Sequence, residues 1–249
     1  MSELKRLAAG EGVPQAVAEK DVALSAALRA IAGSKLARHA VFKGGTAIKK
    51  VYFREARFSE DLDFTAVGIG RGVCLRLLRE ALEGRAVEGI TFGKLEEEKT
   101  AAGLKASVKY AGPLAYPQRI RFDFSFRKNI AEKPVRRELI DSYGLGSAGL
   151  LVLSLEEIFA EKLHALGSRS APRDLYDAWF LFGKGIKMDK RILGRKFAYY
   201  PEKFDAWGAI ESARKSKGRR ARDLRHLLKK LPDFELVEQE VETKLLELS

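Results

Sequence analysis

The stretch from Lys43 to Phe64 concentrates side chains that can do chemistry. It contains Lys43-Gly44-Gly45-Thr46-Ala47-Ile48-Lys49 and then Arg57-Phe58-Ser59-Glu60-Asp61-Leu62-Asp63-Phe64. Residues two apart in a strand share a face, so a strand through Leu62 projects Asp61 and Asp63 together. Two converging carboxylates resist joint ionisation unless a cation lies between them. Mg²⁺ suits such a pair because it takes oxygen ligands and bridges to substrate phosphates; Mn²⁺ is the alternative ion. A glycine turn brings bare backbone N–H groups against a phosphate at a helix N-terminus. These are the parts of a metal-dependent site for nucleotidyl transfer. The plainer alternative is a helix-entry turn followed by a solvated edge strand.

Composition bounds the partners. The chain has 249 residues, with Lys and Arg totalling 46 against 34 Asp and Glu, a formal net charge of +12. That excess attracts polyanions and, beside a nucleotidyl transfer site, points to RNA rather than to a generally basic protein. Cys74 is the single cysteine, which excludes an internal disulfide and fits a reducing cytoplasm. One Cys and the scattered His39, His164 and His226 lack zinc-ligand spacing. The N-terminus, Met1-Ser2-Glu3-Leu4-Lys5, has no apolar signal core, and the apolar stretch near Leu150 to Leu155 is too short to span a bilayer. Asn129 is the single asparagine, a compositional hint of a thermophilic source.

The expected elements place these residues. Pro14 to Ile31 reads as a helix and Val41-Phe42 as a short buried strand entering the glycine turn. Helix over Thr46 to Val51 and strand over Leu62 to Thr65 follow. Arg71 to Leu82 carries a helical stripe of Leu75, Leu78 and Leu82, and Ile90 to Leu95 and Leu104 to Tyr110 read as strands. Glu96-Glu97-Glu98 is a solvated strand end or turn. In Arg119 to Phe126, Ile120, Phe122, Phe124 and Phe126 alternate onto one face, with Arg119, Arg121, Asp123 and Ser125 on the other. Asp123 there is either a site carboxylate or a cross-strand partner of Arg. Beyond Lys133 the pattern turns helical.

Ser154-Leu155-Glu156-Glu157 matches a capping box. From it runs a stripe of Leu155, Ile158, Phe159, Leu163 and Leu166, with Lys162 in its middle. A lysine there must snorkel, pair with an acid or face a cleft, whereas His164 lies off the stripe. Asp174 is placed to cap the next helix. The run Arg214 to Arg222 is either a solvated interhelical turn or an RNA backbone contact.

The Gly-Gly-Thr turn followed by Asp61-Leu62-Asp63 resembles the signature of polymerase-β-like nucleotidyltransferases. The longer string resembles one branch, the AbiEii/AbiGii (MenT-like) nucleotidyltransferase toxins of type IV toxin–antitoxin systems. Glu161-Lys162-Leu163-His164-Ala165-Leu166, Arg169 and Arg173-Asp174-Leu175-Tyr176-Asp177 resemble that family's second conserved half. The resemblance covers about residues 42–64 and 156–179. It implies an α+β fold: a polymerase-β-like nucleotidyltransferase lobe with a small mixed sheet over 1–133, and a helical lobe over 134–249 completing the active-site cleft. Asp61 and Asp63 would be catalytic and hold the metal, with Asp123 as a third carboxylate from a later strand. Lys162 and Asp174 would complete the site, Asp177 being the alternative to Asp174. Gly44, Gly45, Thr46, Lys49 and Ser59 would bind the nucleotide. Lys49 departs from the arginine common in relatives and gives up bidentate phosphate gripping. The implied substrate is an NTP, the acceptor RNA, notably the tRNA 3′ end, and the partner an antitoxin protein in the cytoplasm. Two rivals stay open: transfer to a protein or small molecule, and a non-catalytic RNA- or protein-binding relative.

Overall fold

The computed structural model describes residues 3–115, 118–127, 129–200 and 203–248; Met1 and Ser2 of the N-terminus lie outside them. The chain forms two compact units, Met1–Lys128 with Pro134–Leu153, and Asn129–Lys133 with Ser154–Ser249.

The first unit begins with helices α1 (Glu3–Glu11) and α2 (Gln15–Ala32). Pro14 stands at the N-cap position of α2, where its missing N–H costs nothing. Ala18, Ala23, Leu24, Ala26, Ala27, Leu28 and Ile31 form the buried apolar part of α2. Strand β1 (Ala40–Lys43) runs into α3 (Gly44–Ala47), whose backbone widens into a π-type turn over Ile48–Tyr52. Next come β2 (Asp61–Ala66), α4 (Arg71–Leu82), β3 (Ala86–Val87), β4 (Ile90–Glu98), β5 (Leu104–Ala111) and β6 (Gln118–Ser125). Strands β7 (Val135–Glu138) and β8 (Gly149–Val152) complete this unit.

The expected helix over 46–51 thus starts two residues early, at Gly44 itself. In α4 the buried face is Cys74, Leu77, Leu78, Ala81 and Leu82, with Leu75 only partly buried. The Glu96–Glu98 segment is a strand end, with Glu97 2.8 Å from Arg71 and Glu96 2.9 Å from Arg119. Strand β6 stops at Ser125, which leaves Phe126 outside it.

The mixed sheet has the order β3-β4-β5-β6-β2-β1-β8-β7. Strand β2 runs antiparallel to β1 and parallel to β6, while β8 runs parallel to β1. Phe42, Phe64 and Phe124 lie in one register row across β1, β2 and β6. Their rings stand 5.2 and 4.8 Å apart and all are fully buried. The adjacent row, Lys43, Asp63 and Asp123, points to the opposite face because strand side chains alternate.

The chain was expected to turn helical after residue 133, but β7 and β8 return to the sheet of the first unit. Every residue of β7 is exposed, so this edge strand has no alternating apolar signal, and four residues of β8 are too few to show one. The division therefore falls at 128, 133 and 153 rather than once at 133.

The second unit holds α5 (Leu155–Ser168), α6 (Pro172–Gly183), α7 (Lys190–Phe197), α8 (Ala206–Lys215), α9 (Arg220–Leu224) and α10 (Phe234–Leu246). Ser154 caps α5, accepting from the Glu157 N–H at 3.2 Å. The Glu157 carboxylate does not close the capping box. It accepts from Ala131 and Glu132 N–H at 2.8 and 3.1 Å and meets Lys196 at 2.6 Å. Those bonds tie the short segment 129–133 to this unit.

Charge is also buried in the first unit. Lys50 lies 2.6 Å from Asp21 and donates to Ser25 Oγ at 2.8 Å and to the Asp21 carbonyl at 3.1 Å. The Tyr143 hydroxyl donates to the same Asp21 carboxylate. Burial pulls the Lys50 ammonium below its ordinary pKa while Asp21 opposes that shift. This cluster joins α2, the π-type turn and the segment before β8. Removing one partner of a buried pair leaves an uncompensated charge, so Asp21→Ala is expected to cost about 3–5 kcal/mol. Chemical denaturation of the variant against wild type checks this value.

Candidate active site

Gly44 has φ +79°, a conformation that strains any L side chain. A Cβ added there would overlap Asp63 Oδ2 and lie 3.0 Å from Asp63 Cβ and Cγ. The bare Cα of the turn therefore packs directly on the Asp63 carboxylate. Gly45 follows in the first turn of α3 and is buried. The Thr46 hydroxyl, also buried, donates to the Asp61 carbonyl at 2.5 Å. Thr46 thereby joins α3 to the start of β2.

Asp61 and Asp63 are partly buried and share one face of β2, whereas Leu62 and Phe64 are buried beneath them. Asp123 is the register partner of Asp63 on β6, and Asp61 stands opposite Arg121. Asp123 is about half exposed, 48%, with Lys105 on β5 3.8 Å from its carboxylate. Asp123 thus neighbours Asp63 and also makes a loose cross-strand pair, with Lys105 rather than with the expected Arg. Among the described residues no three His, Cys, Asp or Glu side chains stand together at ligand spacing. The Asp61 and Asp63 pair, hard oxygen donors beside a bare glycine, fits a divalent cation in type.

Lys49 is placed differently from the expectation. Its ammonium is buried, donates to the Arg54 and Ala56 carbonyls at 2.9 and 3.1 Å, and lies 4.0 Å from the Phe58 ring centroid. Burial lowers its pKa. Lys49 is thereby a clamp for the connection between the π-type turn and β2. A lysine suits this position because a point charge can meet two carbonyls at once. Ser59 lies in that same connection, partly buried, two residues before β2.

In the second unit, Lys162 sits on α5 with a side chain 11% exposed. Its ammonium is 3.2 Å from Asp174 and 2.7 Å from Asp177, both on α6. Of the three fates open to a lysine in an apolar stripe, pairing is the one observed. Asp174 is fully buried and does not cap α6; that place is taken by Ala171. Arg169 reaches over Asp174 with Nε at 2.8 Å and Nη2 at 3.2 Å. The sequence reading left Asp174 and Asp177 as alternatives, and the structure gives both to Lys162. Arg169 stood in the second motif without an assigned role, and the structure pairs it with Asp174. His164 stacks on Tyr200 at 3.8 Å, away from this cluster.

The family model described as nucleotidyl transferase AbiEii toxin, type IV TA system, matches residues 26–245. The chain belongs to the AbiEii family. It is a nucleotidyltransferase of the toxin type, and the matched span contains both carboxylate clusters. AbiEii membership also agrees with the solved structure of MenT4, a nucleotidyltransferase toxin from Mycobacterium tuberculosis H37Rv. That structure superposes with a TM-score of 0.74 at 20% identity, over 98% of this chain and 88% of that one. At that identity the likeness establishes the fold. A comparison with curated proteins finds no match. No helix among the described residues is long and apolar enough to cross a membrane.

Two outcomes follow from this geometry. Gly44→Ala meets a strained φ, costing roughly 1–2 kcal/mol, and displaces the Asp63 carboxylate. Its transfer activity is expected to fall well beyond its loss of stability, as a joint melting and turnover measurement would show. Lys162→Met removes the cation facing two buried carboxylates and is expected to cost about 3–5 kcal/mol. An unchanged melting temperature would show that the Lys162 ion pairs are not as close as the structure places them.

Proposed function

We propose that this AbiEii protein transfers a nucleoside monophosphate from an NTP to RNA, with the tRNA 3′ end as acceptor. The observation that carries the reading is the Asp61 and Asp63 pair on one strand face, with the bare Gly44 turn packed on Asp63. The net charge of +12 supports a polyanionic acceptor over a small molecule. Asp61 and Asp63 would hold Mg²⁺, or Mn²⁺ in its place, and that ion would neutralise triphosphate charge when bound.

The remaining roles fall to the chain itself. The Gly44 and Gly45 backbone, unshielded by side chains, approaches the phosphates. The acceptor hydroxyl oxygen forms a bond to the α-phosphorus as the bond to the β-phosphate oxygen breaks, releasing pyrophosphate. Asp123 or Asp174 aligns the hydroxyl and takes its proton. Lys162 would meet charge developing on the phosphate oxygens, its ammonium oriented by Asp174 and Asp177. We place the reaction in the cytoplasm, restrained there by a cognate antitoxin protein, as expected for a type IV toxin.

Incubation with each labelled NTP in turn, and with RNA, protein and small-molecule pools kept separate, tests the reading. Label is expected in RNA, dependent on a divalent cation and abolished in a folded Asp63→Ala variant. Full transfer in EDTA would exclude the two-carboxylate mechanism, and label confined to protein would move the acceptor to a different class.

A further inference from the structure

The basic run that stood out in the sequence proves to be largely neutralised. Arg214 meets Glu238 at 2.7 Å and Glu242 at 2.9 Å. Lys217 meets Glu235 at 2.6 Å and Arg222 meets Asp223 at 2.7 Å. Arg214 and Lys217 fasten α8 and the following turn to α10, and Arg222 pairs with its neighbour in α9. These three serve the structure, whereas Arg220, in the same run, lines a different surface.

Beside it, within the second unit, lies an open groove of about 880 Å³ whose cations are arranged differently. Arg220, Arg225 and Lys230 line it. Arg225 and Lys230 have no ion-pair partner among the described residues, and Arg220 lies over Phe234, 5.8 Å from its ring centroid. The floor is aromatic and apolar. Tyr176 and Trp179 stand 5.5 Å apart and pack with Leu231. Trp179 is fixed in place by donation from its Nε1 to Glu240 at 2.6 Å. Asp233 also reaches the groove, but its carboxylate caps α10 by accepting from the Leu236 N–H at 3.0 Å.

We infer that this groove is a docking site for single-stranded RNA, with a base stacked on Trp179 and backbone phosphates on Arg220, Arg225 and Lys230. A planar indole with cations beside it is the chemistry that grips a single strand without reading its sequence. The volume suits one or two nucleotides. The groove is a site other than the aspartate strand. It rests on the proposed RNA acceptor only for the choice of ligand, since binding is read without turnover.

The test is fluorescence anisotropy of the full chain with a labelled 12-nucleotide single-stranded RNA of mixed sequence, across a salt series. Arg225→Glu with Lys230→Glu is expected to weaken binding about tenfold or more. The neutral pair Arg225→Gln and Lys230→Gln should lower the salt slope by about 1.4, the share of two phosphates on a single strand. Trp179→Leu should weaken binding about fivefold, within the range for one stacked base. The reversal Lys94→Glu with Lys109→Glu, at exposed positions on the sheet, matches the charge change and should have a smaller effect. Asp63→Ala should bind as wild type while losing transfer, which separates this inference from the reading of the reaction. Equal weakening by both reversals would overturn the groove in favour of diffuse attraction. Displacement of the RNA by polyglutamate as readily as by unlabelled RNA would assign the groove to an acidic protein segment instead.

Discussion

The approach of the Asp63 carboxylate to the bare Cα of Gly44 constrains everything around it. No side chain fits between them, so the residue after β1 must be glycine, and its positive φ sets the direction in which α3 leaves the sheet. Thr46 then reaches the Asp61 carbonyl and Lys49 closes on the carbonyls of Arg54 and Ala56. Each bond fixes the connection that brings β2 back beside β1. Thr46 and Lys49, the two residues expected to touch phosphate, hold the turn that places the carboxylates. Beneath them the row of Phe42, Phe64 and Phe124 gives the acidic row a rigid base.

Both units bury ion pairs where apolar residues would pack more stably. In the first unit Asp21 and Lys50 join three segments far apart in the sequence. In the second, Lys196 is held by Glu157 and Glu161, at 2.6 and 3.0 Å, and Lys162 by Asp174 and Asp177. Such pairs accept one arrangement, because any slip strands a charge in a medium that solvates it poorly. Lys196 and Glu157 do this for the segment 129–133, which otherwise has little apolar surface to hold it. The cluster at Lys162 differs in being open at one side: Arg169, on its rim, has a side chain 67% exposed. An ion-pair cluster with an open side is where a charged ligand can exchange for an internal partner.

Much of this was legible from residue order. Pro14 and the alanine-rich run marked α2, Arg71 to Leu82 marked α4 to the residue, and Ile120 to Phe124 set the faces of β6. Periodicity over eight or more residues reports on a face that must be buried, so these elements carry their own signal. The aspartates two apart and the glycine pair were equally plain, because their spacing is local. Lys162 was visible as a charge in an apolar stripe.

What the sequence by itself determined, then, is the set of local pieces: the acidic strand, the glycine turn, the long helices and the lysine out of place. Only the tertiary structure decided how charges were shared among them. That Asp123 neighbours Asp63, that Lys162 takes both Asp174 and Asp177, and that β7 and β8 rejoin the first sheet depend on contacts between distant segments. The run Arg214 to Arg222 looked uniformly basic, yet Arg214 and Lys217 are paired with carboxylates of α10, Lys215 with Glu211 and Arg222 with Asp223. A side chain's charge is written in the sequence, but its partner is set by which surfaces hydrophobic burial presses together.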